Sequence, residues 1–416
     1  MKIAPGTPLD ISLQWDEDNI QRVGRLAYQD NIAYLEYDDD FLKSGLEISP
    51  VHDKTSAGLK QPYDAGVFEG LHGVFHDSLP DGWGRLLVDR RARQLDIQPA
   101  TLTPIDRLAC VGADGIGALC YAPSIDVWGA EDGALDLDQL AEDSRLVREG
   151  DVGEMVSRLG QAGGSPGGAR PKALIGVNDE GHAVHGSNFI PEGYEAWLLK
   201  FPGGDDPKDI AAIEMAYSMM AQEAGVVMLE TRLLDGGDGQ RYFAAKRFDR
   251  KGNRRVHVHS ASGLLYTDIR IPQLDYKDLI LLTRSVTRDQ RECKAMFVLA
   301  VFNVLSHNRD DHARQFSYIM ERNGSWRLAP AYDLTWCAGP GGEHSTSVLG
   351  HGKDITREHL IELGKKAELK EQDIQEVIEK VGTAIGNWQV YADEYGVNRD
   401  SNELISRSLV DVVVTG

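Results

Sequence analysis

From His307 to Leu334 the chain reads HNRDDHARQFSYIMERNGSWRLAPAYDL, and its residue types suit phosphoryl transfer. Moving a phosphoryl group onto a hydroxyl needs a carboxylate to accept the hydroxyl proton and oxygen ligands that hold Mg²⁺ against the phosphates. Asp310 is placed to be that base. Gln315 follows at the spacing of the kinase catalytic loop and offers an oxygen ligand one methylene longer than the Asn usual there. Asp333, after the strand-like WRLAP, stands where a kinase carries its other metal ligand, a position suited to Asp or Glu because the cation is hard and dehydrates reluctantly. His312 completes the catalytic candidates. It is read as a hydrogen-bonded loop histidine that positions Asp310, which already supplies the base.

Phosphates also need a cradle and cations. GQAGGSPGGARPKALIGV, Gly160 to Val177, sets Gly163, Gly164, Ser165, Gly167 and Gly168 ahead of a strand, so free backbone N–H groups lead into a sheet. GxxxxGK[ST] is absent, and a glycine-rich turn alone is weak evidence. Lys172, at the exit of the loop, joins the cofactor-binding set. The strand in EAWLLKFPG ends in Lys200, and the helix DIAAIEMAYSMMAQEAG that follows carries Glu214. A strand Lys with a Glu on the next helix is the pair that anchors ATP phosphates in kinases. The glycine-rich loop, Lys200, Glu214, Asp310 with Gln315, and Asp333 occur in the chain order of a kinase.

These residues must be positioned by the rest of the chain. Residues 10–50 alternate as half-buried strands do, with a hairpin expected at Gln29-Asp30-Asn31. SLPDGWGRLLVDRRARQLDI predicts a turn at Pro80 and Gly82 and then an amphipathic helix, whose basic run from Arg85 to Arg93 reads as a solvated face. Residues 135–160 suit two short helices. The strand in QRYFAAKRFDR marks a lobe boundary, and beyond it the apolar spacing turns helical. Ile374, Val377, Ile378, Val381, Ile385, Trp388 and Tyr391 form a core-facing stripe there. His257 and His259, in a strand-like VHVHS, are expected on opposite sides of their strand. The expected architecture is α+β and two-lobed, of protein-kinase type: an N-terminal subdomain over 1–125, an N-lobe with the glycine-rich loop over 126–250, and a helical catalytic C-lobe over 251–416.

At 416 residues the chain is long enough for two or three domains. A net charge of −21 disfavours nucleic-acid binding over the whole surface, which relies on Lys and Arg. Four cysteines without CxxC pairing suggest neither a zinc ribbon nor a disulfide framework. No apolar window spans a membrane and the N-terminus lacks a signal pattern, so a cytoplasmic protein with no membrane partner is expected.

SLPDGWGR, GADGIGAL, SPGGARPKA, LLKFPG, FDR, NRDDHARQFS and LAPAYDL together resemble the HipA family of serine/threonine kinases, the toxin half of bacterial type II toxin–antitoxin modules. The resemblance implies an ATP- and Mg²⁺-dependent kinase with Asp310 as base, Asp333 as metal aspartate and Lys200 as phosphate lysine. It further implies autophosphorylation at Ser165, which ejects the loop, and a hinge around Lys246, Phe248 and Asp249 that meets adenine and ribose. Implied partners are a translation protein such as an aminoacyl-tRNA synthetase as acceptor, and a HipB-type DNA-binding antitoxin through which any nucleic-acid contact is indirect. The chain departs from the family motif N-x-D-x-H-x-K-N at Arg314-Gln315, and His307 replaces the more usual Gly before Asn308. One alternative keeps the fold without the chemistry, as a scaffold acting with the antitoxin as corepressor. Another is a metal-dependent hydrolase using His307, Asp311 and His312, weakened by Arg309 where that ligand pattern needs a His.

Overall fold

The computed structural model describes residues 1–4, 6–129, 135–150, 153–162, 168–186 and 190–414, with residue 238 and residues 410–414 described in backbone only. Gly163, Gly164, Ser165 and Gly167 lie outside the described residues.

The first sheet is built from β1 (Leu9–Gln14), β2 (Ile20–Gln29), β3 (Ile32–Tyr37), β4 (Leu59–Lys60) and β5 (Leu119–Ala122), in the order β4-β3-β2-β1-β5. Leu9, Ile11 and Leu13 are buried while Asp10 is exposed, the period of two that a one-sided strand requires. The β2–β3 hairpin turns at Asp30 and Asn31, whose φ values of 51° and 61° are both left-handed, as a two-residue turn matched to strand twist demands.

The helix Gly82–Gln94 does not stay with this sheet. Trp83 and Leu87 pack into the core of the next unit with Leu140, Val147, Val156 and Leu159. Its basic run is not a plain solvated face either. Arg90 donates to the Gly150 carbonyl at 3.0 Å, Arg91 to that of Val127 at 2.7 Å, and Arg85 pairs with Glu69 at 3.1 Å. These guanidinium groups tie loops down.

The second sheet holds β6 (Lys172–Asn178), β7 (Ala183–His185), β8 (Tyr194–Lys200), β9 (Thr231–Asp235) and β10 (Arg241–Lys246), in the order β7-β6-β8-β10-β9. The helices Leu137–Glu149 and Met155–Gln161 share its core. The helix Ile210–Ala224 buries most of its surface and stops at Gly225, a left-handed C-cap at φ 87°. The β6–β8 register sets Lys172 directly opposite Lys200.

The remaining chain is mostly helical. Phe297 and Phe302 of Gln290–Leu305 join Ile374, Val377, Ile378, Val381, Ile385 and Trp388 in one core, with Tyr391 packed at its margin, so the expected stripe is core. A small sheet of His257–Ser260, Ser317–Met320 and Trp326–Leu328 carries the chain through the middle of this lobe. His257 and His259 lie on the same side of their strand, both buried, contrary to the expectation; residues two apart in a strand share a face. His257 Nε2 meets the Ile48 carbonyl at 2.9 Å and His259 Nε2 meets Ser49 Oγ at 3.1 Å. With Asp77 on His259 Nδ1 at 2.6 Å, this is a Ser–His–Asp chain in form, but Ser49 is 1% exposed, so it joins subdomains and reaches no substrate. The architecture is α+β and two-lobed in the manner of a kinase, with an N-terminal subdomain built against both lobes.

Candidate active site

The helix Gln290–Leu305 ends at Ser306, and the chain turns through His307 in the left-handed region at φ 54°. That conformation explains a preference for Gly at this position, since Gly adopts it without steric cost. Asn308 is then pinned back on the helix, its Nδ2 donating to Asn303 Oδ1 at 3.0 Å while Asn303 Nδ2 donates to Tyr276 Oη at 2.9 Å. Asp311 closes the chain of contacts from below. Fully buried, its carboxylate accepts from the Tyr276 hydroxyl at 2.7 Å, from Ser345 N at 2.8 Å and from Thr346 N at 3.2 Å, with His344 Nδ1 at 3.0 Å. Asp311 is therefore a structural anchor, and the hydrolase reading loses one of its ligands. Removing a buried acceptor of this kind strands several donors at once. Asp311→Ala is expected to cost about 3 kcal/mol in urea unfolding, from roughly 1–3 kcal/mol for each buried donor left unpaired and partial relaxation around the gap.

Between these anchored neighbours Asp310 is left facing outward, with a side chain 57% exposed at the mouth of the cleft. Desolvation by the cleft walls raises its carboxyl above the ordinary range; His312 opposes this, and the Asp333 and Asp311 carboxylates reinforce it. His312 Nδ1 accepts the Arg314 backbone N–H at 3.3 Å, which places the neutral ring's proton on Nε2. That nitrogen lies 4.0 Å from Asp310 Oδ1. At that distance no hydrogen bond joins His312 to Asp310.

Asp333 follows the Trp326–Leu328 strand and also has a left-handed backbone, at φ 57°, which Asp tolerates better than most residues. Its Oδ2 accepts from Gln315 Nε2 at 3.0 Å, and its Oδ1 is ion-paired with Lys200 Nζ. The same Nζ reaches Glu214 Oε1 at 2.5 Å, so the strand Lys and the helix Glu are joined. Burial lowers the Lys200 ammonium, but Asp333 and Glu214 outweigh it and hold the group above its usual range. Burial would raise the Asp333 carboxyl, yet Lys200 and Lys172 keep it far below the ordinary carboxylate range. Burial also depresses Lys172, which faces Asp333 and the like charge of Lys200. Like charges directly opposite in a sheet are unfavourable. Two buried ammonium groups converging on one carboxylate make a site for anionic oxygens.

Gly168, at the exit of the glycine-rich loop, has φ 97°, and a Cβ there would lie 2.6 Å from Lys172 Nζ. Gly168 thus meets Lys172 at contact distance. Arg170, which the sequence reading did not single out, bonds Glu214 Oε1 and Asp206 Oδ1, each at 3.0 Å.

The hinge residues fare differently. Asp249 is 2% exposed and accepts from Gly117 N at 2.7 Å, from Arg247 at 2.7 Å and from Arg250 at 2.6 Å, a buried clasp between FDR and the GADGIGAL loop. It presents no face to a ribose. Lys246 pairs at the surface with Glu195 and Glu230 at 2.6 Å and 3.0 Å. Phe248 stacks on Tyr332 with centroids 5.8 Å apart and so touches the site through the neighbour of Asp333.

Among the described residues no group of three or more His, Cys, Asp and Glu side chains converges to hold a metal unaided. The Asp333 carboxylate and the Gln315 amide lie side by side with the amide nitrogen turned to Asp333; a half-turn of the amide would present its oxygen instead, and the pair would then offer hard oxygen donors of the kind that bind Mg²⁺ with help from phosphate oxygens. Among the described residues no helix is long and apolar enough to cross a membrane.

Fold and site together define a two-lobed, kinase-like protein. The model of the HipA-like C-terminal domain matches residues 164–388 and that of the HipA N-terminal domain matches residues 18–122. The chain belongs to the HipA family. A chain in the solved complex of HipA, HipB and operator DNA from the toxin–antitoxin system of Shewanella oneidensis MR-1 is similar at TM-score 0.68 and 15% identity, over 98% of this chain and 96% of that one. The Helicobacter pylori proinflammatory kinase CtkA gives a TM-score of 0.37 at 14% identity over 55% of this chain and 89% of that one, too slight a likeness to carry weight.

Proposed function

We propose that this protein is an ATP- and Mg²⁺-dependent serine/threonine protein kinase of the HipA toxin type. The observation that carries the reading is Lys200, ion-paired at once with Glu214 and Asp333, with Gln315 on the other oxygen of Asp333. Lys200 and Lys172 bind the nucleotide phosphates, and Asp333 and Gln315 hold the magnesium. When bound, the ion draws charge off the transferring phosphoryl group and the leaving oxygen. Asp310 accepts the proton of the acceptor hydroxyl as its oxygen bonds the γ-phosphorus and the β–γ bridging bond breaks, leaving ADP with the electron pair. His312 orients Asp310.

The family and the likeness to a chain from a HipA, HipB and operator DNA complex support a HipB-type antitoxin as partner, with DNA met through it. A translation protein such as an aminoacyl-tRNA synthetase is the acceptor class, and Ser165 the site of autophosphorylation. The test is incubation of the full chain with Mg-ATP and mass spectrometry of the chain and of co-incubated cell extract. Phosphate on Ser165 or on an acceptor, absent with Asp310→Asn, supports the kinase; no phosphate in either preparation leaves the corepressor scaffold. Gln315→Asn, restoring the usual ligand, is expected to keep or raise the transfer rate and to lower the Mg²⁺ concentration for half-maximal activity by several-fold.

A further inference from the structure

Asp81 lies in the N-terminal subdomain, outside every role assigned above, yet its two carboxylate oxygens are spent on the two loops that frame the site. Oδ1 accepts the backbone N–H of Gly168, and Oδ2 is ion-paired with Arg314 Nη1. The contact with the phosphate loop is reciprocal, since Trp83 N donates to the Gly168 carbonyl at 2.9 Å. It also requires glycine between them. Gly82 has φ 42°, and a Cβ on it would sit 2.4 Å from the Gly168 oxygen.

The catalytic-loop side is as specific. Arg314 immediately precedes Gln315 and is 14% exposed in its side chain. Its Nη2 donates to the His76 carbonyl at 3.1 Å and lies 3.2 Å from His76 Nδ1. Burial and the Arg314 charge lower His76 to about 4, so the ring is neutral near pH 7 and Nδ1 can accept. The Arg314 carbonyl meanwhile accepts the Tyr332 hydroxyl at 2.6 Å, next to Asp333. The positive charge that the family motif carries at this position is thus held by the N-terminal subdomain.

We propose that Asp81 is a positioning residue for phosphoryl transfer: through Gly168 and Arg314 it holds the exit of the phosphate loop in register with the Gln315–Asp333 pair, so the N-terminal subdomain completes the nucleotide site. This rests on the kinase reading. Hydrogen bonds to charged groups are strong enough for loss of the clamp to cost about tenfold or more in nucleotide affinity.

The experiment uses the full chain and four variants, Asp81→Asn, Gly82→Ala, Arg314→Ala and the double Asp81→Asn with Arg314→Ala. It measures the Kd of a fluorescent ATP analogue with Mg²⁺, KM for ATP and kcat, with thermal unfolding alongside. Folded Asp81→Asn is expected to raise Kd and KM about tenfold, Gly82→Ala to do the same by displacing Gly168, and the double variant to be no worse than the sum of its parts, as residues in one network are non-additive. A purely structural role would lower Tm and the active fraction with KM unchanged. Asp81→Asn or, should it not fold, Gly82→Ala with Kd and KM within twofold of wild type would overturn the proposal. Wild type that binds the analogue but transfers no phosphate would sink the kinase reading and leave Asp81 judged on Kd; wild type that binds none would sink both.

Discussion

Asp310→Asn is expected to cut phosphotransfer by orders of magnitude and to leave the protein at least as stable as before. A positioned general base contributes roughly 10²–10⁴-fold to rate, and the neighbouring carboxylate cannot replace this one, because Asp311 is consumed by Tyr276, Ser345 and Thr346. Stability moves the other way because of the direction of the Asp310 shift. Its carboxyl is raised in the fold, so the fold favours the protonated form and ionisation costs stability once the pH passes above the folded value. A neutral Asn removes that cost. The Tm of Asp310→Asn should therefore match or exceed that of wild type near pH 7, and the two should converge in acid as Asp310 protonates. The same shift places the acidic limb of the wild-type pH profile for kcat/KM above the usual aspartate range. A variant that loses Tm along with activity would mean that Asp310 supports the fold, and the role of base would have to be withdrawn.

Asp333→Asn is expected to lose activity to a similar degree, and here stability should fall as well. Asn accepts the left-handed backbone at φ 57°, so the substitution tests charge and not backbone strain. Removing the carboxylate leaves Lys200 and Lys172 facing each other across β6 and β8 with the charge of Asp333 gone and Glu214 still paired with Lys200. Breaking a buried ion pair costs about 3–5 kcal/mol, and the partial opening of this site to solvent argues for the lower end. The pH dependence has the opposite form to that of Asp310. Asp333 is depressed in the fold, so its contribution is present at pH values above the unfolded carboxylate range near 4 and is lost as the pH falls toward the folded value. Urea midpoints of wild type and variant should differ most near pH 7 and approach each other in acid. Equal midpoints at pH 7 would show that the remaining partners, Glu214 among them, suffice for the lysines and that Asp333 is not their principal counter-ion.

Residue type and spacing were enough to single out several residues that the fold brings together. Asp310, Gln315 and Asp333 could be named because a phosphoryl-transfer site needs oxygen ligands and a base in that order, and Lys200 and Glu214 because strand and helix periodicity placed them on successive elements. The β2–β3 hairpin at Asp30-Asn31 and the stripe from Ile374 to Trp388 were legible for the same reason: each is a pattern in neighbouring residues.

What stayed hidden rests on contacts between residues far apart in the chain. Asp249 reads as a polar corner beside a hinge, but whether its carboxylate meets ribose or two arginines depends on where the GADGIGAL loop returns, and it returns onto Asp249. Asp311 sits next to the base and looks equivalent to it; only the approach of Tyr276 and His344 buries one and leaves the other at the cleft. The basic run after Gly82 looked like a face for solvent because no local pattern says which carbonyl oxygens will arrive to accept from it. Lys172 and Lys200 are far apart in sequence, and their confrontation is a matter of strand register, which local propensity does not set. By itself the sequence determined which chemical groups this protein possesses and the elements that carry them. Tertiary structure decided which of those groups face the cleft and which are spent holding it together, because burial, register and long-range hydrogen bonds are properties of the folded chain alone.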